Sequence, residues 1–317
     1  MRLDIRLVVW IGVRLVVRIL VWRRRVRRRL RRMRQLMTDR VGLTWHPQLA
    51  AAILASRERI DLVEVIPEGV FLESRRAQRA LRTLAREVPV SIHGVSLGLA
   101  STRPVDDWRL DQFARLVDCV QPECWSEHLA FVRGEGVELP HLAAPARTAT
   151  TIDATAVNLA RAARAVGAFP LVENVATLID PPGSEVSEQV WLNQLLATTS
   201  ADVLLDLHNL YANGVNFGFD PAEVLRAIPA DRIRVIHLAG GTTVQASTGE
   251  QRWLDDHRHD VPDPVYALLE DVGELVPHAV DVLLERDGAF PPFAELLVQL
   301  DRARAALRAG RARRASS

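Results

Sequence analysis

From residue 41 onward, short runs of apolar and β-branched residues alternate with longer stretches in which apolar residues recur at helical spacing. Helical patterns fall near 47–57, 74–87, 107–120, 152–167, 186–198, 220–228, 262–276 and 292–309. Eight short runs predict strands at Val41–Thr44, Ile60–Ile66, Val88–His93, Glu123–Glu127, Phe169–Glu173, Val203–Asp206, Ile233–Leu238 and Val280–Glu285. Eight strand–helix units in about 270 residues predict an α/β fold, a single-domain TIM (β/α)8 barrel.

An open, doubly wound sheet is the alternative fold for the same alternation of strands and helices. A dinucleotide-binding sheet of that kind would carry a G-x-G-x-x-G motif after its first strand, and no such motif follows Val41–Thr44. The widest segments without a clear pattern are 129–150 and 239–262. Both follow predicted strands, on the side of a barrel where functional loops lie.

Polar side chains mark the ends of the predicted strands. The body of a buried parallel strand is expected to be apolar, whereas the carboxyl ends of barrel strands surround the mouth where active sites lie. Six predicted strands end in potential ligands: His93, Glu127 with His128, Glu173 with Asn174, Asp206 with His208 and Asn209, His237, and Glu285. The segment after the seventh strand adds Asp255, Asp256, His257, His259 and Asp260.

Imidazoles and carboxylates without thiolates indicate a site for Fe, Mn, Zn or Ni ions. Taken singly, each group also has a structural interpretation, such as a helix cap at Glu127 and His128 or an ion pair between Glu285 and Arg286. Carboxylates that face one another repel and are costly to bury, and cations neutralise them. About ten potential ligands exceed the three or four that one ion needs, so the pattern predicts more than one metal ion.

The formal net charge of +1 is the sum of two unequal parts. Residues 1–40 contain fourteen Arg against Asp4 and Asp39 and carry +12, so the rest of the chain carries −11. The chain has no Lys, which excludes Schiff-base chemistry and a P-loop. Cys119 and Cys124 form neither a CxxC motif nor a disulfide framework, so we expect a reducing, cytoplasmic location.

The first 40 residues are predicted to form a separate Arg-rich extension. Its apolar run, 7–22, is interrupted by Arg14 and Arg18 and is too short and too charged to span a bilayer. Three interpretations stay open: a basic amphipathic helix lying on a membrane, an arm that binds nucleic-acid phosphates, or an over-long start with translation beginning at Met33 or Met37. Of the two binding roles we favour peripheral membrane contact and expect no nucleic-acid partner.

The sequence therefore divides into three predicted parts. An amphipathic or disordered extension covers 1–40, the TIM-barrel metal-binding catalytic domain covers 41–310, and a disordered tail covers 311–317.

Over residues 41–300 the chain resembles the multinuclear non-haem iron-dependent oxidative enzymes. This family of TIM barrels includes the iron subunit of methanobactin biosynthesis. The motifs that carry the resemblance are SIHGVSLGL (91–99), WSEHLAF (125–131), LVENVATL (171–178), LLDLHNLYANGVNFGFDP (204–221), IHLAGG (236–241), LDDHRHDVPDPVYALLE (254–270) and LLERD (283–287).

The resemblance implies two or three iron ions (Fe2+/Fe3+), activation of O2, and oxidative modification of a ribosomally made precursor peptide at Cys. It also implies a small partner protein that presents the peptide. By position, His93, His128 and Glu173 resemble ligands of one iron, and Glu173 is suited to bridge to a second. The ligands of the remaining site or sites would be Asp206, Asn209, His237, Asp255, His257 and Glu285.

Within this set we expect four catalytic residues, namely His128, Glu173, Asp206 and His257. Glu127 is expected to support its neighbouring ligand. Many members of the family have Asn where this chain has His208, so His208 either adds a ligand or supports one. His259 is a spare imidazole near the rim.

The alternative function is that of another metal-dependent TIM barrel, a Mn- or Zn-dependent hydrolase of the phosphodiesterase type or a sugar isomerase. Such enzymes also place His, Glu and Asp at strand ends. An isomerase usually supplies a catalytic Lys, and this chain has none. The hydrolase is therefore the stronger of the two alternatives.

Overall fold

The computed structural model describes residues 38–71, 75–134, 137–245 and 249–316. Two antiparallel hairpins, β5 (Phe131–Gly134) with β6 (Val137–Ala143) and β10 (Gly241–Gln245) with β11 (Gln251–Asp255), follow barrel strands. The barrel strands are β1 (Arg40–Thr44), β2 (Val63–Val65), β3 (Val90–Gly94), β4 (Trp125–His128), β7 (Leu171–Glu173), β8 (Val203–Asp206), β9 (Ile233–Leu238) and β12 (Asp281–Leu284).

The barrel strands close in the order β1–β12–β9–β8–β7–β4–β3–β2, and every pair is parallel. The predicted TIM barrel is therefore confirmed. The helices are α1 (Ala50–Ala55), α2 (Glu68–Phe71), α3 (Arg75–Glu87), α4 (Asp107–Val120), α5 (Ala149–Val166), α6 (Glu188–Thr198), α7 (Leu207–Phe217), α8 (Pro221–Ala227), α9 (Asp263–Leu275) and α10 (Phe293–Ser316).

The apolar core has two parts. The larger part packs the outer faces of the strands against the surrounding helices. The smaller part consists of Leu62, Leu171, Leu204, Val235 and Leu283. Because successive strand residues point to opposite faces, each of these five lies on the same face as the residue two positions later.

One helix and two hairpins lie outside the predicted pattern because their sequences are weak indicators of secondary structure. Helix α7 starts directly after β8, with the Asp206 carboxylate accepting a hydrogen bond from the Asn209 backbone N–H at 2.6 Å. Its Asn and Gly residues are poor helix formers, so the sequence pattern does not predict this helix. The hairpins β5–β6 and β10–β11 lie within the two segments, 129–150 and 239–262, that lacked a clear pattern.

The predicted disordered tail at 311–317 is wrong over residues 311–316, which continue helix α10. Arg311 makes two hydrogen bonds to the Asp39 carboxylate, at 3.0 and 2.8 Å, and one to the His278 carbonyl. Asp39 and Arg40 had been assigned to the extension, but Arg40 opens β1 and binds the Asp281 carboxylate through two 2.7 Å hydrogen bonds. These charge-assisted pairs tie both ends of the described chain to the base of the barrel.

The predicted N-terminal helix at 7–22 lies outside the described residues. Among the helices that the structure describes, none is long and apolar enough to cross a membrane.

Candidate metal centre

The inner face of the barrel carries one layer of apolar residues and, two positions further along each strand, one layer of polar residues. Two positions after the five residues of the smaller apolar core come Glu64, Glu173, Asp206, His237 and Glu285. Each of these five is at most 5% exposed. The strand period of two therefore places carboxylates and an imidazole together at the carboxyl-terminal mouth, above a sealed apolar floor.

Glu173 lies at the centre of this polar layer and faces two groups of donors. Its Oε2 atom is 3.1 Å from Nε2 of His93 and 3.4 Å from Nε2 of His128. Its Oε1 atom is 3.2 Å from Nδ1 of His237, which is itself 3.2 Å from Oε2 of Glu285. The two oxygens of one carboxylate thus belong to different donor groups.

Three overlapping sets of side chains could each hold a metal ion, because the donor atoms within a set all lie within 4.8 Å of one another. All members of these sets are buried. The sets are His93 with His128 and Glu173, Glu173 with Asp206, His237 and Glu285, and His93 with His237 and Glu285.

Hydrogen bonds fix which nitrogen of two histidines faces the centre. His128 Nδ1 lies 3.1 Å from the Gly94 carbonyl, which can only accept, so Nδ1 carries the proton. His93 Nδ1 lies 2.8 Å from Ser126 Oγ, whose own hydroxyl donates to the Ile92 carbonyl. The Nε2 atoms of both rings are therefore free to bind a cation, an arrangement typical of metal-binding histidines.

His237 is oriented differently, with Nδ1 toward the centre. Its Nε2 atom lies 2.9 Å from Oε1 of Glu64, and the other oxygen of Glu64 accepts a hydrogen bond from Ser91. The charges of Glu285, Glu64 and Glu173 outweigh burial and raise the pKa of His237 well above its usual value. Without a metal ion, these carboxylates hold a proton on the ring.

Several atoms that point into the centre have no hydrogen-bond partner among the described residues. They are both carboxylate oxygens of Glu173, Oδ2 of Asp206, Oδ1 of Asn209 and Nδ1 of His237. Leaving buried polar atoms unpaired is costly, and leaving carboxylates unpaired is more so. Cations bound among these atoms would satisfy them, so the residues present fit a metal centre.

Burial also shifts the pKa values of several of these side chains. Burial raises the pKa of Glu173 well above its usual value. Burial, together with the charges of Asp255 and Glu285, raises the pKa of Asp206 to about 6. Burial lowers the pKa of His93, and it lowers that of His128 to about 4. These histidines are therefore neutral near pH 7, the form in which imidazole binds metals.

Asn174 and Asn209 hold neighbouring strand ends in place. The Asn174 side chain accepts from the Asp206 backbone N–H at 2.9 Å and donates to the Asp206 carbonyl at 3.0 Å. Asn209 Nδ2 donates to the Asn174 carbonyl, which leaves its Oδ1 atom for the centre. The pair fixes β7 against β8 where Glu173 and Asp206 emerge.

Asp255 and His257 come from the end of the β10–β11 hairpin and the residues just after it, and they lie at the rim of the same mouth. His257 Nε2 is 3.0 Å from Asp255 Oδ1, and its Nδ1 is 3.5 Å from Oε2 of Glu285 and 3.1 Å from Oδ2 of Asp287. Although burial opposes the shift, His257 and His208 hold the pKa of Asp255 well below its usual range. Neither residue belongs to the three donor sets. His257 nevertheless contacts the carboxylate of Glu285, which is a member of two of them.

Three candidate residues lie beside the centre and not in it. Glu127 accepts hydrogen bonds from the backbone N–H groups of Leu97 and His128, and burial with the charge of Glu68 raises its pKa. His259 is 52% exposed and pairs with Asp256. His208 is fully buried, and both of its ring nitrogens have protein partners.

Sequence reasoning missed the residues that orient the ligands. Ser91, Ser126 and Asp287 were not singled out, although the two serines lie on the same strands as His93 and His128. Trp253 was not singled out either, and its indole N–H donates to His208 Nε2 at 2.8 Å. The position of the serines on the strands that carry ligands could have identified them, whereas the Trp253 contact depends on a hairpin that the sequence did not predict.

A narrow cleft beside the centre opens to solvent. Leu129 and Asn174, which line it, directly follow His128 and Glu173 in the chain. The remaining lining residues are Ala144, Pro145, Arg147, Val175, Thr177, Glu188, Trp191 and Leu192. Most of the residues that line the cleft are apolar.

Comparison with known proteins places these motifs in a family. The model of the RiPP precursor modification enzyme MbnB/TglH/ChrH, where RiPP denotes a ribosomally synthesised and post-translationally modified peptide, matches residues 40–308. A UPF0276 protein of Streptomyces avermitilis is 37% identical over 275 residues, 84% of this chain; the chain spans 55% of that relative's length. A UPF0276 protein of Caulobacter vibrioides is 35% identical over 278 residues, 86% of this chain and 96% of that protein.

Solved structures with the same fold include an L-ribulose 3-epimerase, with a TM-score of 0.56 and 16% identity over 87% of this chain and 97% of that one. Endonuclease IV from Thermus thermophilus has a TM-score of 0.52 and 19% identity over 85% of this chain and 99% of that one. At these identities the likeness concerns the fold alone.

Proposed function

Because this chain belongs to the MbnB/TglH/ChrH family of RiPP precursor modification enzymes, we propose that it oxidises a ribosomally made precursor peptide with O2, at Cys, using two or three bound irons. The membership supplies the substrate class. The buried imidazoles and carboxylates supply a site that is suited to iron.

The observation that carries the proposal is the position of Glu173. Each of its oxygens faces a different set of donors, and both lack a hydrogen-bond partner among the described residues. A carboxylate in this position is suited to bridge two cations. A single-ion site would leave one of the two oxygens buried and unpaired, at a cost of roughly 1 to 3 kcal/mol or more.

The ligands divide by the direction in which they face. We assign His93 and His128, with one oxygen of Glu173, to the first iron. The second iron would take the other oxygen of Glu173 and the strand-end residues of the neighbouring set. The remaining ligands, at the second or a third iron, are Asp206, Asn209, His237, Asp255, His257 and Glu285.

Bound iron supplies the redox chemistry that uses O2, and the side chains supply position and a dry environment. His128 is 7% exposed against 1% for His93, so the substrate would approach from the His128 side. On the opposite rim, His257 is held between Asp255 and Asp287 and retains some exposure. With Glu173 and Asp206 between them, these two imidazoles border the space in which the peptide residue would react.

A small partner protein that presents the peptide, as the resemblance implies, would bring the peptide to this mouth. Glu188 and Arg147 are the charged residues of the cleft.

The test is a reaction of the purified protein with a Cys-containing precursor peptide, with its partner protein, in the presence and absence of O2. We expect a change in peptide mass only with O2, as measured by mass spectrometry. A metal-dependent hydrolase or isomerase would act equally well without O2, and that result would overturn the proposal.

A further inference from the structure

His208 lies among the proposed ligands but differs from them in its surroundings. It is fully buried and lies two residues after Asp206, at the start of α7. It has a hydrogen-bond partner on each ring nitrogen: Trp253 Nε1 at 2.8 Å from Nε2, and Asp255 Oδ1 at 2.8 Å from Nδ1. A metal ligand needs a free lone pair, so the protonation of these two nitrogens decides whether His208 can bind an ion.

The chemistry of the two partners fixes the tautomer. An indole N–H is a donor and never an acceptor, so Nε2 of His208 accepts with its lone pair. Nδ1 then carries the only proton of the neutral ring and donates it to the Asp255 carboxylate. In this form neither nitrogen has a lone pair left for a cation.

The close approach of Trp253 to His208 is built into the hairpin. A Cβ atom on Gly241 would lie 2.7 Å from Trp253 Nε1 and 2.9 Å from His208 Cε1, so only glycine permits the contact. Asn216 clamps the Trp253 backbone, accepting from its N–H at 2.7 Å and donating to its carbonyl at 3.0 Å. Tyr211 packs edge-on against the indole, with ring centroids 5.3 Å apart.

We propose that Trp253 and His208 form a positioning pair that orients Asp255, and that His208 is not a metal ligand. Trp253 occupies the nitrogen that would otherwise bind a cation, and His208 holds Oδ1 of Asp255. Asp255 Oδ2 lies 3.1 Å from His257 Nε2 and pairs with it, and a cation bound at this rim would replace that contact. The role of Asp255 as a ligand rests on the proposed function, whereas the tautomer of His208 does not.

The first test is a long-range 1H–15N spectrum of the full chain labelled with 15N-histidine, metal-free and after addition of Zn2+. We expect His208 to show a protonated Nδ1 and a bare Nε2, with Nε2 unchanged by zinc. In W253F, which keeps the aromatic packing but lacks the donor, the Nε2 signal should move. A wild-type Nε2 signal that shifts to that of a metal-bound nitrogen when zinc is added would overturn the proposal.

The second test compares metal binding by H208L and H208N with that of the native chain. H208N keeps a side-chain N–H near the position of Nδ1, on the side of Asp255, whereas H208L removes every donor. We expect both variants to hold the same number of metal ions as the native protein at saturation. H208L should bind the weakest ion about 10- to 100-fold less tightly, and H208N should recover most of that loss.

The outcomes separate the two proposals. Loss of one ion at saturation in both variants would make His208 a ligand, and unchanged affinity in a folded H208L would remove the positioning role. If H208L fails to fold, W253F and H208N carry the same measurements. A native chain that binds no iron but shows the expected tautomer would reject the proposed function and leave the assignment of His208 intact.

Discussion

Oε2 of Glu173 lies 3.1 Å from Nε2 of His93, and the other oxygen of the same carboxylate faces away from that ring toward a second set of donors. Four of the five polar residues above the apolar floor of the barrel are carboxylates, and burial raises the pKa of two of them, Glu173 and Asp206. Metal ions would instead allow them to stay ionised. Replacing a single ligand should therefore change the metal content of the protein in a measurable way.

Glu173→Gln should abolish binding of more than one metal ion. Glutamine has nearly the same shape but is neutral, and its amide nitrogen cannot act as a ligand, so one of the two donor sets loses its shared oxygen. We expect metal content per chain to fall to one ion or less, as measured by elemental analysis after anaerobic purification. Glu250→Gln, at a side chain that is 63% exposed, is the matched control. Native metal content in Glu173→Gln would contradict the bridging role.

His128→Ala should lower metal content and peptide oxidation together while the barrel stays folded. The side chain reaches the mouth and is held by a hydrogen bond to the Gly94 carbonyl, so its loss removes a ligand and little packing. Circular dichroism should match that of the native protein. His259→Ala, at an imidazole 52% exposed, should change neither property. Loss of activity with full metal content would indicate that His128 contacts the substrate and does not bind a metal ion.

Glu188→Gln should stabilise the protein above pH 7 and leave it unchanged at pH 4. Burial raises the pKa of Glu188 to about 7, although Arg147 and Asn213 oppose the shift. Between pH 4.5 and about pH 7, this carboxyl is ionised in the unfolded chain but still protonated in the folded chain. Native stability therefore falls as pH rises through that window. Because the residue keeps some exposure, we expect a gain of about 1 to 3 kcal/mol at pH 8 from urea denaturation.

The matched control for this pH effect is Glu185→Gln, at an exposed carboxylate three residues earlier in the chain. It should show no dependence of stability on pH relative to the native chain. An equal gain for Glu188→Gln at pH 4 and pH 8 would mean that ionisation of the carboxyl is not the cause.

Gly310→Ala should destabilise the fold. A Cβ atom at this position would lie 1.9 Å from the Glu270 carbonyl oxygen and 2.8 Å from Gly273 Cα, so helices α9 and α10 must move apart. Alanine alone would favour a helix by about 1 kcal/mol over glycine. We nevertheless expect a net loss of about 1 to 3 kcal/mol in the free energy of unfolding.

Gly288→Ala provides the comparison, because a Cβ atom there would come no closer than 3.6 Å to its nearest neighbour, the Arg258 side chain. Thermal unfolding should show a lower midpoint for Gly310→Ala and a near-native midpoint for Gly288→Ala. A native midpoint for Gly310→Ala would mean that the two helices adjust without cost.

The eight strands and the polar residues at their ends could be predicted from the sequence because both depend on local periodicity. Leu171 and Glu173, for example, share a face simply because they are two positions apart. The hairpins could not be predicted in this way, since β10–β11 packs on α7 through Trp253, Tyr211 and Asn216, which come from different parts of the chain. Whether His208 binds a metal ion or orients a ligand likewise depends on Trp253, which is 45 residues away in the chain.

The charge asymmetry of the chain has a similar explanation. The barrel gathers Asp and Glu at one mouth, and Arg40 and Arg311 pair with carboxylates at the opposite end. Part of the excess of acidic groups after residue 40 therefore lies at this mouth, where cations would neutralise it.

The most direct test of the metal centre is iron quantification together with Mössbauer spectroscopy on the anaerobically purified, 57Fe-enriched protein. We expect two or three irons per chain and more than one iron environment, because Glu173 divides the donors into distinct sets. One zinc per chain and no iron would contradict the proposed centre and, with it, the oxidation of a precursor peptide.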